Sequence, residues 1–154
     1  MAEVEVQLYH TEDKKGGTSM NHAKRMIETN PSPAPVDAPT LAECIEACFD
    51  CAQTCTACAD ACLGEEDIQI LARCIRLDLD CAEVCGATGR ILSRQSGTDL
   101  QMLQVALGAC AKACRLCGEE CERHADHMEH CRVCAEVCRR CESACNNVLS
   151  AVGA

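Results

Sequence analysis

Cysteine recurs along this chain in alternating steps of four and three residues, and that spacing constrains the fold more than any other feature. One run is Cys44, Cys48, Cys51, Cys55, Cys58 and Cys62. A second is Cys110, Cys114, Cys117 and Cys121, and a third is Cys131, Cys134, Cys138, Cys141 and Cys145. A sparser run, Cys74, Cys81 and Cys85, keeps the same register, with Asp78 at the skipped place. Alternating steps of three and four mark the a and d positions of a heptad, the stripe that faces a bundle axis. Bundles ordinarily place Leu and Ile there. Small residues such as Ala47, Ala52, Ala59, Ala111 and Ala135 lie between the cysteines, and charges such as Glu46, Asp60, Lys112, Glu136 and Arg139 fall on the outer face. The expected fold is all-α: an antiparallel up-down-up-down four-helix bundle with a cysteine-lined core.

Local signals place the helices. Thr40–Glu43 reads as a T-x-x-E capping box after Pro39, opening a first helix over 41–63 that stops at Gly64. The second is expected over 66–95, ending near Gly97. The third runs to 125 from a capping box at Thr98–Gln101, and the fourth from Asp126–Glu129 to 151. Residues 1–39 form an N-terminal extension and 40–154 the bundle. The four prolines (Pro31, Pro33, Pro35 and Pro39) make the end of the extension an extended linker. Residues 19–29 form a short helix capped by Ser19.

The thiol pattern points to a soft monovalent metal. Eight C-x3-C pairs (44/48, 51/55, 58/62, 81/85, 110/114, 117/121, 134/138 and 141/145) use all the cysteines except Cys74 and Cys131. Residues i and i+4 on a helix have Cβ atoms about 5–6 Å apart. Two thiolates at that reach hold Cu(I) in near-linear coordination, whereas Zn(II) takes four ligands in a tetrahedron. Neutral buried thiols pack as small hydrophobes, so the metal-free bundle can fold. Buried thiolates need compensating charge, which one monovalent copper per thiolate supplies. The expectation is multiple Cu(I) ions, on the order of one per cysteine. Zinc binding, with facing helices assembling four-thiolate sites, or a general thiol and metal buffer, stands as the alternative.

Other readings fit less well. Cysteines four apart on one helix match disulfide geometry poorly. The C-x2-C steps sit inside continuous heptads, with no C-x2-C-x2-C run and no Cys-Pro of an iron–sulfur protein. There is no G-x-S-x-G, P-loop or H-E-x-x-H motif, and nothing orients Cys121 and His124 as nucleophile and base, so no enzyme is expected. A net charge of −10 with an aromatic share of 1% argues against nucleic acid. No apolar run spans a membrane, and the N-terminus has neither an apolar signal region nor a twin arginine, so the expected location is cytoplasmic.

The two ends of the bundle differ. The turns after the first and third helices share one end, where the cysteine stripes run on into His124, His127 and Met128. These three are candidate accessory ligands or gates through which copper passes. His130 reads as a solvated turn residue. The opposite end carries Leu41, Ile45, Ile91, Leu92, Leu100, Leu103, Val148 and Leu149, an apolar plug. Asp78 reads as a polar interior residue without an assigned role. Phe49 and Leu63 lie off the stripe, as contacts between protomers or as surface residues.

The segments TLAECIEACFDCAQTCTACADACL, LDCAEVC, ACAKACRLCGEECERHADHMEHCRVC and AEVCRRCESAC resemble the bacterial copper storage proteins over residues 40–151. The resemblance implies a homotetramer of four-helix bundles, each holding many Cu(I) ions through C-x3-C pairs and bridging thiolates. Without an export signal, the chain resembles the cytosolic branch, which has more cysteines and a histidine-bearing mouth. The expected partners are copper ions and a copper chaperone or cuproenzyme. Met20, His22 and Met26 in the extension are at most a weak copper contact.

Overall fold

A computed structural model describes residues 22–153. Five helices follow one another: α1 (His22–Glu28), α2 (Ala38–Leu63), α3 (Ile68–Leu92), α4 (Leu100–Glu122) and α5 (Glu129–Val152). The last four form the bundle. Each of them packs on two others, α2 on α3 and α5, and α4 on α3 and α5, while α1 lies against α2. Thiol contacts give the directions. Cys44 meets Cys145 and Cys58 meets Cys131, so α2 and α5 are antiparallel. Cys74 meets Cys121 and Cys85 meets Cys110, so α3 and α4 are antiparallel too. The order is up-down-up-down, as the cysteine spacing predicts.

The helix starts differ from the expected capping boxes. The α2 cap is Asp37, whose carboxylate accepts from the Thr40 backbone N–H at 3.0 Å, so the helix begins before Thr40 and takes Pro39 into its first turn. Proline is tolerated there because first-turn N–H groups have no partner within the helix. Asp99, not Thr98, caps α4, accepting from the Met102 N–H at 2.9 Å. No side chain caps α5: residues 123–128 form a turn, and Met128 rather than Asp126 precedes the helix. α3 stops at Leu92, short of 95, because Gln95 folds back and donates to the Leu92 carbonyl at 2.6 Å. Gly97 then turns the chain in the left-handed region, at φ 69°, where a Cβ is disfavoured. α1 begins at His22; Ser19, the expected cap, lies outside the described residues.

The apolar plug forms from buried Leu41, Ile45, Leu92, Leu103 and Val148, joined by Leu107 and by Ile27 of α1. Leu100 does not join it and is half exposed at the first position of α4. Ile91 and Leu149 pack at its edge. Phe49 lies over α3 at Gly89, where a Cβ would stand 3.0 Å from its ring. Half its surface is thereby spent inside the protomer, while Leu63 remains exposed.

Candidate metal centre

All eighteen cysteines are free and buried, with no more than 2% of any one exposed. Their sulfurs form a column along the bundle axis. At the plug end Cys44 and Cys145 are 3.8 Å apart, and Cys48 lies 3.9 Å from both Cys110 and Cys141. Higher up, Cys85 reaches Cys114 at 3.4 Å, and Cys51 reaches Cys114 at 3.8 Å and Cys138 at 3.7 Å. Cys55 lies 3.6 Å from Cys138 and 3.7 Å from Cys134. Cys51–Cys55 and Cys81–Cys85 touch within one helix, at 3.7 and 3.8 Å. The other contacts named here join different helices, so the thiol groups are assembled by the bundle rather than by single C-x3-C pairs.

The groups overlap. Cys48, Cys110, Cys141 and Cys145 bring their sulfurs within 4.8 Å of one another, as do Cys51, Cys85, Cys114 and Cys141. So do Cys51, Cys55, Cys81 and Cys138, and Cys55, Cys117, Cys134 and Cys138. Cys51, Cys55, Cys138 and Cys141 each belong to two of these groups. Shared membership suits bridging thiolates. Protons are shared through the same network. Hydrogen bonding to Cys117 and burial push the Cys55 thiol up, while hydrogen bonds from Cys114 and Cys138 push Cys51 down.

Asp78 interrupts the sulfur column. It is fully buried, and its Oδ1 accepts from Cys117 at 2.9 Å, Cys121 at 3.3 Å and Cys134 at 3.4 Å. Cys74 donates to Oδ2 at 3.8 Å. Burial pushes its carboxyl up to about 8, which favours the protonated acid in the metal-free core. Sequence reading gave this residue no role, although its register position placed it on the stripe.

The histidine end also departs from expectation. His130, read as solvated, is the imidazole that reaches the thiols. Its Nδ1 lies 3.5 Å from the sulfurs of Cys58 and Cys131 and 4.0 Å from that of Cys62. These four residues form a further group with ligand-like spacing. Its Nε2 lies 3.1 Å from Oε1 of Glu65, in the loop between α2 and α3. His124 is partly buried, with Nε2 3.6 Å from Oε1 of Glu120 and no hydrogen-bond partner among the described residues. Glu120 is itself buried and accepts from Arg73 at 2.9 Å and Arg123 at 3.2 Å. Met128 packs against the core edge, whereas His127 is exposed on the turn. Cys121 contacts Cys74 and Asp78 instead of pairing with His124. His22 and Met26 are exposed on α1, far along the chain from the thiol mouth, and Met20 lies outside the described residues.

Comparison with known proteins agrees with this geometry. No curated protein sequence matches the chain. Among solved structures it is similar to the Streptomyces lividans copper storage protein Ccsp loaded with 10 copper equivalents, at 51% identity and a TM-score of 0.82, covering 84% of this chain and 98% of that one. A second structure from Streptomyces lividans, described as a cytosolic copper storage protein with five coppers, is 55% identical with a TM-score of 0.72, covering 73% of this chain and 93% of that one. The Cu(I)-bound copper storage protein BsCsp3 is 36% identical with a TM-score of 0.60, covering 68% and 92% of the two chains. The family model described as copper storage protein matches residues 37–150, from the α2 cap almost to the end of α5. The chain belongs to the copper storage protein family.

Proposed function

We propose that this protein stores Cu(I) in the cytosol, holding many ions within one bundle through shared cysteine thiolates. The observation that carries the reading is the overlap of the four-thiol groups, with Cys51, Cys55, Cys138 and Cys141 each in two of them. Isolated tetrahedral zinc sites take four ligands apiece, which separate rather than overlapping groups would supply. Each arriving Cu(I) displaces a thiol proton and takes its place, so the core stays near neutral as it fills. The eighteen thiols therefore set a capacity on the order of one copper per cysteine. The ligands of this reading are the cysteines of all four bundle helices. His124, Met128 and His130 line the end through which ions pass, and exposed His127 serves at most as an outer contact. The role is sequestration rather than catalysis.

The cytosolic location follows the similarity to a relative described as cytosolic. No helix among the described residues is long and apolar enough to cross a membrane. The protein assembles as a homotetramer and exchanges copper with a chaperone or cuproenzyme. Exposed Leu63, Met102 and Val105 offer apolar surface for assembly.

The test is an anaerobic Cu(I) titration of the reduced protein against a competing chelator, with copper counted per chain. Uptake well above nine ions, half of eighteen thiols, supports shared thiolates. Saturation at about four or five, eighteen thiols at four per ion, supports zinc-type sites and removes the storage reading.

A further inference from the structure

We propose that Glu65 is a positioning residue that fixes which nitrogen of His130 meets copper at the mouth, an inference that rests on the storage reading above. The Glu65 carboxylate lies 3.1 Å from His130 Nε2. A carboxylate oxygen can only accept, so the hydrogen on that ring sits on Nε2. Nδ1 is then left with its lone pair, and it is Nδ1 that faces Cys58 and Cys131 at 3.5 Å and Cys62 at 4.0 Å. In the metal-free protein the thiols donate to that lone pair. When Cu(I) replaces a thiol proton, the same lone pair is available to the ion, and the released proton goes to solvent. An imidazole carrying its hydrogen on Nδ1 would aim a donor at the ion and bind nothing.

The arrangement follows a general rule of metal sites. The second nitrogen of a ligating histidine is held by an acceptor, which sets the tautomer and ring orientation and raises ligand basicity. Glu65 belongs to the loop that ends α2. Its backbone N–H donates to the Cys62 carbonyl at 3.3 Å, so the turn that closes the helix bearing Cys62 also delivers the carboxylate. His130 is carried by α5, and the contact therefore ties two helices together across the mouth. His124 has a related neighbour in Glu120, but their separation of 3.6 Å makes no hydrogen bond, and Nε2 is left unpaired. Of these two histidines, only His130 has its tautomer set in the metal-free fold.

The experiment compares the reduced full-length chain with Glu65→Ala, Glu65→Gln and Glu66→Ala, the last an exposed carboxylate in the same loop. Imidazole 15N shifts in the metal-free proteins report the His130 tautomer. Anaerobic uptake from a Cu(I)–bicinchoninate complex reports loading rate and final copper count. Wild type is expected to carry the His130 hydrogen on Nε2. Glu65→Ala should give mixed tautomers and load about tenfold more slowly, with an unchanged final count. Glu65→Gln, whose amide oxygen still accepts from Nε2, should recover most of both properties, and Glu66→Ala should match wild type. A His130 hydrogen on Nδ1 in wild type overturns the proposal. So does a Glu65→Ala protein with wild-type tautomer and rate, or one rescued by neither measure in Glu65→Gln. Should wild type take up no copper at all, the storage reading fails instead, and the tautomer result still decides whether Glu65 orients the ring.

Discussion

The sulfurs of Cys51 and Cys114 lie 3.8 Å apart although 63 positions separate them. The offset recurs along the axis: Cys48 meets Cys110 at 3.9 Å and Cys55 meets Cys117 at 3.8 Å, each pair 62 positions apart. An offset that stays at 62 or 63 positions means that α2 and α4 run parallel across the bundle diagonal with their cysteine stripes in register. The thiols are then spaced as a continuous column, and each can serve two neighbours.

Sharing has a measurable consequence. Cys51 belongs to two of the four-thiol groups, so its removal disturbs both. Cys51→Ala is expected to lower the copper count by about one ion, because one copper accompanies each thiolate and the other members of both groups keep theirs. Native mass spectrometry of the loaded protein resolves the difference. Loss of several ions would show that a group fills and empties as a unit, and no loss would remove Cys51 from the ligand set.

Asp78 gives the metal-free protein a pH dependence of unusual sign. Its carboxyl titrates near 8 when folded against an ordinary value of 3.8, so between those limits the folded state holds one more proton than the unfolded state. Stability from this group is greatest below the unfolded value and is lost as pH rises toward the folded one, by about 1.4 kcal/mol per pH unit. Asp78→Asn removes that slope. Denaturant unfolding of metal-free wild type and variant at pH 5 and pH 7.5 should show the variant gaining relative stability at the higher pH, and parallel curves would refute the assignment.

Most of the fold was legible because one residue type both fills the core and carries the chemistry. Heptad spacing located the helices of the bundle and the inward face of each. The starts were less legible, because Asp37 and Asp99 outcompete the nearby threonines for the first free N–H groups, and sequence spacing does not rank two adjacent caps. His130 was missed for a different reason. It sits one position before Cys131, off the stripe, and is turned to the thiols by a contact with Glu65 some 65 positions away. Asp78 was visible in register, but its burial among donating thiols is a property of three helices together.

The cap assignment can be checked directly. Asp99→Ala removes the acceptor for the Met102 N–H and should destabilise the metal-free protein by about 1 kcal/mol. Thr98→Ala should cost less, since its hydroxyl serves the Gln95 carbonyl at the end of the preceding turn. Thermal or denaturant unfolding that ranks the two the other way would favour the Thr98 capping box.

The plug end and the histidine end should separate capacity from kinetics. Leu107 is fully buried among apolar residues on the plug side, and Leu107→Ala should cost about 2–5 kcal/mol of stability without changing the copper count or the loading rate. At the other end, His124 has a buried nitrogen without a hydrogen-bond partner among the described residues, and Met128 packs at the core edge beside it. Imidazole and thioether donors hold Cu(I) less firmly than paired thiolates and release it inward. Replacing both with alanine should therefore slow loading and chelator-driven removal severalfold while the final count stays at the wild-type value. Stopped-flow uptake by the two variants decides the matter. If the Leu107 variant loads slowly and the His124, Met128 variant loads normally, copper passes through the plug end, and the polarity argued for the bundle is reversed.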